Sequence, residues 1–176
     1  MNTWSNLFRH HRWSNQTLIA FLRTLSDDQL SLTVDGTYGD SLSTIRHIIS
    51  SNADYVRILP DTPEVTQIAE DGAFQGWDAL EAVAWESDSA LIAYVGNVVD
   101  DEFFVDIDDG EAFDLTRSML LCQIVHHATE HRSQIRTTLS AHGIEPPELS
   151  TWAWRKSSEG QDVLRQQASE QVRAQS

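Results

Sequence analysis

The stretch Leu120 to Leu139, LLCQIVHHATEHRSQIRTTL, decides how this chain is read. Leu120, Ile124, Ile135 and Leu139 recur at helical steps and lay an apolar stripe along one side of a long helix. His127 and His131 continue that stripe: from Ile124 it steps three residues to His127, four to His131 and four to Ile135. A metal-free core would fill those slots with Leu or Ala. Two imidazoles four residues apart face the same way, with Cβ atoms roughly 5–6 Å apart, within reach of one metal ion. Set inward they need partners, because an unsatisfied buried polar group costs on the order of 1–3 kcal/mol. An H-x-x-x-H pair also arises by chance, and a single inward histidine is commonly a hydrogen-bonded core residue. The pair points to metal when a third donor joins it.

Working outward, Phe103–Ile107 and Ala112–Leu115 flank Asp108-Asp109-Gly110 and predict a short β-hairpin just before this helix. Thr116 or its neighbours open the helix, Gly143 ends it, and Pro146-Pro147 prevents resumption. Upstream, Trp4, Leu7, Phe8, Leu18, Phe21, Leu22 and Leu25 predict a first helix over about 4–25. Ser26-Asp27-Asp28 supplies turn and capping chemistry. Asp40 or Ser41 caps a second helix that Pro60 stops at about Leu59. Residues 60–76 read as a connecting loop with a short turn of helix around Val65–Ala69, and a third long helix follows over about 78–99. After Pro147 comes a further helical segment through Trp152 and Trp154. The fold class is all-α: a four-helix bundle with antiparallel neighbours, a small β-hairpin before the fourth long helix and a C-terminal helical extension. Residues 1–156 form the bundle domain, and 157–176, rich in Gln and Ser, a loosely held polar helical tail.

Composition narrows the function. At 176 residues, 40% of them hydrophobic and six of them tryptophan, the chain can fill one sizeable core. No stretch approaches the ~20 apolar residues that cross a bilayer, and the N-terminal MNTWSNLFRHHRWSN lacks the apolar region of a signal peptide. The one cysteine, Cys122, excludes an intramolecular disulfide and a cysteine-based zinc cage. These features predict a cytoplasmic protein with no membrane partner. A net charge of −15 argues against nucleic acid, whose phosphates require a basic surface.

Among the seven histidines, His47 on the second helix is the best-placed third donor. Its face carries Thr44, Ser51, Asp54, Tyr55 and Ile58, more polar than the side with Leu42, Ile45, Ile49 and Val56, and a polar strip inside a bundle suggests a cavity. Periodicity alone serves a solvent-facing His47 equally well.

Three segments together carry a resemblance. R-W-S-N (Arg12–Asn15), S-T-I-R-H-I-I-S-S-N-A-D-Y (Ser43–Tyr55) and H-H-A-T-E-H-R-S-Q-I (His126–Ile135), in this order and spacing, resemble the DinB-like family of metal-binding four-helix bundles, with its YfiT-type and mycothiol-dependent isomerase branches. The resemblance spans about residues 4–142. It implies that His47, His127 and His131 bind a divalent ion, with the remaining coordination positions open to water or substrate, as in a catalytic site. Imidazole preference favours zinc or nickel, with manganese or iron as alternatives. The resemblance further implies a homodimer and activation of a low-molecular-weight thiol as cofactor. The protein would then be a thiol S-transferase or thiol-dependent isomerase acting on a small-molecule substrate. The alternative is a non-catalytic bundle that is stabilised by metal or binds a small ligand or partner.

Other residues take supporting roles beside blander ones. His11 and Asn15 fall inside the first helix's stripe, where they could orient substrate at the open metal face or pack as a hydrogen-bonded polar pair. Gln134, three residues past His131, is placed to hold that ligand's ring N–H, and Glu130 either does the same or forms a surface salt bridge. Asp54, on the His47 face, could act as general base in metal-dependent hydrolysis or as a fourth donor, or stand exposed. Arg132 could neutralise an anionic thiol or pair near Glu130. His126 and His142 read as surface residues. Cys122 lies roughly 140–180° around the helix from the two histidines and reads as a buried structural thiol. The acidic run from Asp100 to Glu111 lacks calcium-loop spacing and reads as a solvated edge.

Overall fold

Helix formation follows the apolar spacing and stops where caps and prolines dictate. The computed structural model describes residues 3–97, 101–108 and 110–174. Helix α1 (Thr3–Leu22) ends three residues earlier than its apolar pattern, because Thr24 and Leu25 turn back to the carbonyls of Phe21 and Leu22. Ser26 then opens the one-turn α2 (Asp27–Leu30) with a capping box: its hydroxyl accepts from the Gln29 N–H, and the Gln29 amide oxygen accepts from the Ser26 N–H. Asp40 caps α3 (Ser41–Ile58) by accepting from the Ser43 N–H at 2.7 Å. Helix α4 spans Trp77–Asn97; its expected last residues, 98 and 99, lie outside the described ones. Strands β1 (Phe103–Asp108) and β2 (Glu111–Thr116) pair antiparallel with Phe103 opposite Thr116 and Asp108 opposite Glu111. Thr116 caps α5 (Arg117–Ala141), which ends at Gly143 in the left-handed region, φ +75°. Two further helices, α6 (Thr151–Lys156) and α7 (Ser158–Ala174), complete a mostly helical chain. Among the described residues no helix is long and apolar enough to cross a membrane.

The core is two apolar clusters stacked along the long helices. One gathers Leu18, Ile19 and Leu22 of α1, Ile45, Ile48 and Ile49 of α3, Leu80 and Val83 of α4, and Ile135 and Leu139 of α5. The other gathers Phe8, Val56, Leu91, Val95, Leu121 and Ile124. Chain direction follows from this division. Helices α3 and α4 both run from the first cluster to the second, whereas α1 and α5 run the other way. The expectation of antiparallel neighbours throughout therefore fails for α3 and α4, which pack together in parallel.

A parallel pair needs a long return, and residues 59–76 provide it. Gln67 Nε2 donates to the Ala53 carbonyl (3.2 Å), Ser50 Oγ to that of Ile68 (3.0 Å), and Arg46 Nη2 to that of Ala69 (3.2 Å). As the loop advances, its partners step backwards along α3. The short helical turn expected around Val65–Ala69 does not form. The segment is instead tied along α3 by the Ile68 and Ala69 carbonyls, and the Val65 carbonyl accepts from Gln67 Nε2 (3.3 Å), while Val65 and Ile68 pack onto the core.

Between the two clusters each long helix contributes polar residues. Asp88 of α4 accepts from Asn15 Nδ2 (3.1 Å) and Asn52 Nδ2 (3.2 Å), and lies 3.4 Å from His11 Nε2. Arg132 Nη1 donates to Asn15 Oδ1 at 2.6 Å. Asn15 thus bridges a buried cation and a buried carboxylate. All five residues are buried. Burial lowers the Arg132 guanidinium to about 10, which leaves it cationic at neutral pH. Breaking such a network by removing one charge costs about 3–5 kcal/mol.

The tail is held over its first half. Glu159 pairs with Arg12 of α1 (2.6 Å), Gln167 donates to Asn6 (3.1 Å), and Val163 is buried. Gly160 permits the tight corner between α6 and α7 that sets this docking: a Cβ there would sit 2.1 Å from the Trp154 carbonyl oxygen. Gly160→Ala should therefore destabilise the protein by about 1–3 kcal/mol and expose α7 to limited proteolysis. Gly96→Ala, where a Cβ meets nothing within 4 Å, should be neutral or slightly stabilising; a Gly160→Ala protein that melts with wild type contradicts the docking.

Burial holds the pKa of His11 below its ordinary 6.5 against the upward pull of Asp88, and burial lowers His10 as well. Below pH 6.5 the unfolded chain takes up protons that the folded chain refuses, so stability falls as pH falls through the histidine range. Denaturant midpoints with chelator present should be lower at pH 5.5 than at 7.5. His11→Gln should flatten that dependence by up to one proton, about 1.4 kcal/mol per pH unit. An unchanged slope in the variant overturns the assignment.

Candidate metal centre

Helices α3 and α5 pack side by side, and the apolar clusters fix their register. Ile45, Ile48 and Ile49 commit one side of α3 to the core, and Ile124, Ala128 and Ile135 commit α5. His47 then turns toward the seam between them, with 17% of its side chain exposed. His127 and His131, one turn apart, meet it there. The three rings lie 4.5–4.8 Å apart between centroids, all edge to face. One ligand nitrogen from each lies within 4.8 Å of the other two, and the Nε2 atoms of His47 and His127 are 2.9 Å apart.

Outer partners orient two of the rings. His47 Nδ1 lies 2.8 Å from Glu70 Oε2, and His131 Nδ1 lies 2.9 Å from Gln134 Oε1. Each acceptor fixes the proton on Nδ1 and leaves the Nε2 lone pair facing the other histidines. Partial burial disfavours ionised Glu70, but hydrogen bonds from His47 and Tyr38 outweigh it and hold the carboxyl below its ordinary range. The Tyr38 hydroxyl donates to Glu70 Oε1; this bond, with some desolvation, pushes the phenol up to about 12 and keeps it protonated. Its ring stacks on His47 at 4.2 Å and 16° and presents an edge to His131 at 5.0 Å. Its backbone N–H donates to Gln134 Oε1 at 3.1 Å. Tyr55 touches His127 edge-on.

The donor set fits a divalent cation. Burial first, then the neighbouring His131 and His47, lowers His127 to about 4, so its imidazole is neutral at neutral pH and keeps a lone pair for a metal. One shared proton can satisfy two facing imidazole nitrogens but not three. Zinc–nitrogen distances of about 2.0–2.1 Å in a tetrahedral site separate the nitrogens by about 3.3 Å, within the span observed. Three protein donors leave coordination positions for water or substrate.

The remaining expected residues fall variously. Gln134 stands beside His131, with Oε1 2.9 Å from its Nδ1. Glu130 is exposed and makes none of the site's hydrogen bonds. Asp54, half exposed, lies 3.8 Å from Arg57. His11 and Asn15 form the buried hydrogen-bonded pair, in the polar layer and outside the ligand cluster. Arg132 is not available to a bound thiol, being buried in the same layer. Cys122 is exposed, contrary to the buried thiol expected, because that side of α5 is turned away from the core. His126 and His142 are exposed as expected. Glu70 and Tyr38 escaped the sequence reading. They arrive from loops, where no periodicity operates, and the only hint was a return loop long enough to bring a carboxylate back to His47.

No curated protein matches the chain. The family model for the DinB family matches residues 1–167, which takes in all three histidines, the capped helices and most of α7. On that match, with the histidine cluster in place, the chain belongs to the DinB family.

Proposed function

We propose that the protein is a divalent-metal enzyme in which His47, His127 and His131 hold the ion within a four-helix bundle of DinB type. The observation that carries this is the convergence of three imidazoles, two of them oriented by outer acceptors. Zinc or nickel suits an all-imidazole set best, with manganese or iron next. An ion bound there would lower the pKa of a coordinated low-molecular-weight thiol and hold the thiolate for attack on an electrophile. The chain's own part is to bind and to orient. Glu70 and Gln134 keep the Nδ1 protons in place, and the neutral His127 offers its lone pair without first losing a proton. The activity is thiol S-transfer or thiol-dependent isomerisation of a small molecule, in a cytoplasmic homodimer. Glu70 is engaged with His47 and Tyr38, and Asp54 stands beside Arg57. Glu70 is thus committed to orienting His47, and Asp54 lies outside the histidine cluster, which is why thiol chemistry is placed ahead of hydrolysis.

Protein purified without chelator should carry close to one equivalent of divalent metal by plasma mass spectrometry, and a His127→Ala/His131→Ala variant should carry none. Stripping the metal should lower the unfolding temperature, since a ligand at 1,000 times its Kd contributes about 4 kcal/mol. Addition of a thiol should change the visible spectrum of the cobalt-substituted protein. Empty wild-type protein that also refuses zinc, nickel and manganese overturns the metal assignment. Retained metal with no spectral response to thiol overturns the thiol chemistry alone.

A further inference from the structure

Tyr38 and Glu70 come from two loops on either side of α3 in sequence and meet over His47. Tyr38 lies just before the Asp40 cap, in a segment tightened by the turn from Val34 to Thr37 (3.2 Å). Glu70 is carried back along α3 by the return loop, which Arg46, the residue before His47, holds at the carbonyls of Ala69 and Gly72. Nothing in helix packing requires these two residues to touch, yet they are joined by a phenol–carboxylate hydrogen bond.

The connections made by Tyr38 form a pattern. Its hydroxyl holds the carboxylate that orients His47, and its N–H holds the amide oxygen that orients His131. Its ring covers the face of one ligand and meets the other edge-on. One loop residue therefore touches two ligands and both of their outer partners. It does so while 46% exposed, so hydrophobic burial alone does not account for its position.

We propose that Tyr38 and Glu70 act as a clasp that positions His47 and His131 around the ion and slows the ion's release; this rests on the metal-binding reading above. Both are positioning residues. Glu70 acts on His47 directly. The Tyr38 hydroxyl acts through Glu70, while its ring and N–H act on His47, His131 and Gln134. A carboxylate that loses its orienting partner is free to rotate away from Nδ1, and the imidazole it held then samples orientations in which Nε2 no longer faces the site. Outer-partner losses of this kind typically weaken metal binding about 10–100-fold.

The test is the rate at which zinc-loaded protein gives up zinc to an excess of chromogenic chelator. Tyr38→Phe keeps the ring and the N–H and removes only the hydroxyl; Glu70→Gln removes the charge. Each should release zinc about 10-fold faster or more. The double variant should be no faster than Glu70→Gln alone, because the hydroxyl works through that carboxylate. Tyr38→Ala, which also uncovers the rings, should be faster than Tyr38→Phe. Denaturant midpoints of the zinc-free proteins should match wild type, which separates loss of positioning from loss of fold. Wild-type protein that takes up no zinc overturns the metal reading on which the clasp rests. Zinc-loaded wild type with single variants that release it at the wild-type rate overturns the clasp alone. Fully additive effects in the double variant overturn the coupling of the two residues.

Discussion

Three imidazoles converging with one nitrogen of each within 4.8 Å of the other two constrain most of this molecule. Two can share a proton, but three rings with their lone pairs turned inward repel one another unless a cation sits between them, and such a cation would also require the N–H groups to point outward. Glu70 and Gln134 hold them outward at His47 and His131 by engaging Nδ1. At His127, burial and its two histidine neighbours keep the ring unprotonated. The arrangement also requires α3 and α5 to hold a fixed axial register. A slip of one turn, about 5.4 Å, would exceed the whole span of the donor set.

That register is maintained by two apolar clusters with a polar layer between them. The clusters supply adhesion with little directional preference. The layer supplies direction: Asp88 accepts from Asn15 and Asn52, and Asn15 also accepts from Arg132, so residues of all four long helices are joined by hydrogen bonds in one buried network. Arg132 follows His131 immediately in α5, so the network that fixes α5 relative to α1 and α4 also fixes that histidine. The parallel course of α3 and α4 has a consequence as well. It forces a return loop, and that loop delivers Glu70 to a site whose helices carry no carboxylate pointed at it.

Features governed by period and by local chemistry were legible in the sequence. The α3, α5 and hairpin boundaries followed from Asp40, Pro60, Thr116, Gly110 and Gly143, each acting within a few residues of itself. His127 and His131 were legible because four residues make one turn. His47 was not legible from its own helix, where the polar face admitted solvent as readily as a site; the combination of three segments identified it. Chain direction was missed because it depends on which cluster each helix end joins. The roles of Arg132 and Cys122 were missed for a related reason. Helical angle relative to the histidines does not say which neighbouring helix covers the remaining sides, and α1 and α4 cover Arg132 but leave Cys122 uncovered.

The most direct measurement is X-ray absorption at the zinc edge of the zinc-loaded protein, compared with the His47→Ala variant. Three imidazoles with nitrogen at about 2.0–2.1 Å and a remaining light-atom ligand are predicted for wild type, with one imidazole fewer in the variant. A wild-type spectrum with fewer than three imidazoles, or one that His47→Ala leaves unchanged, would show that the three rings do not share an ion and would contradict the account.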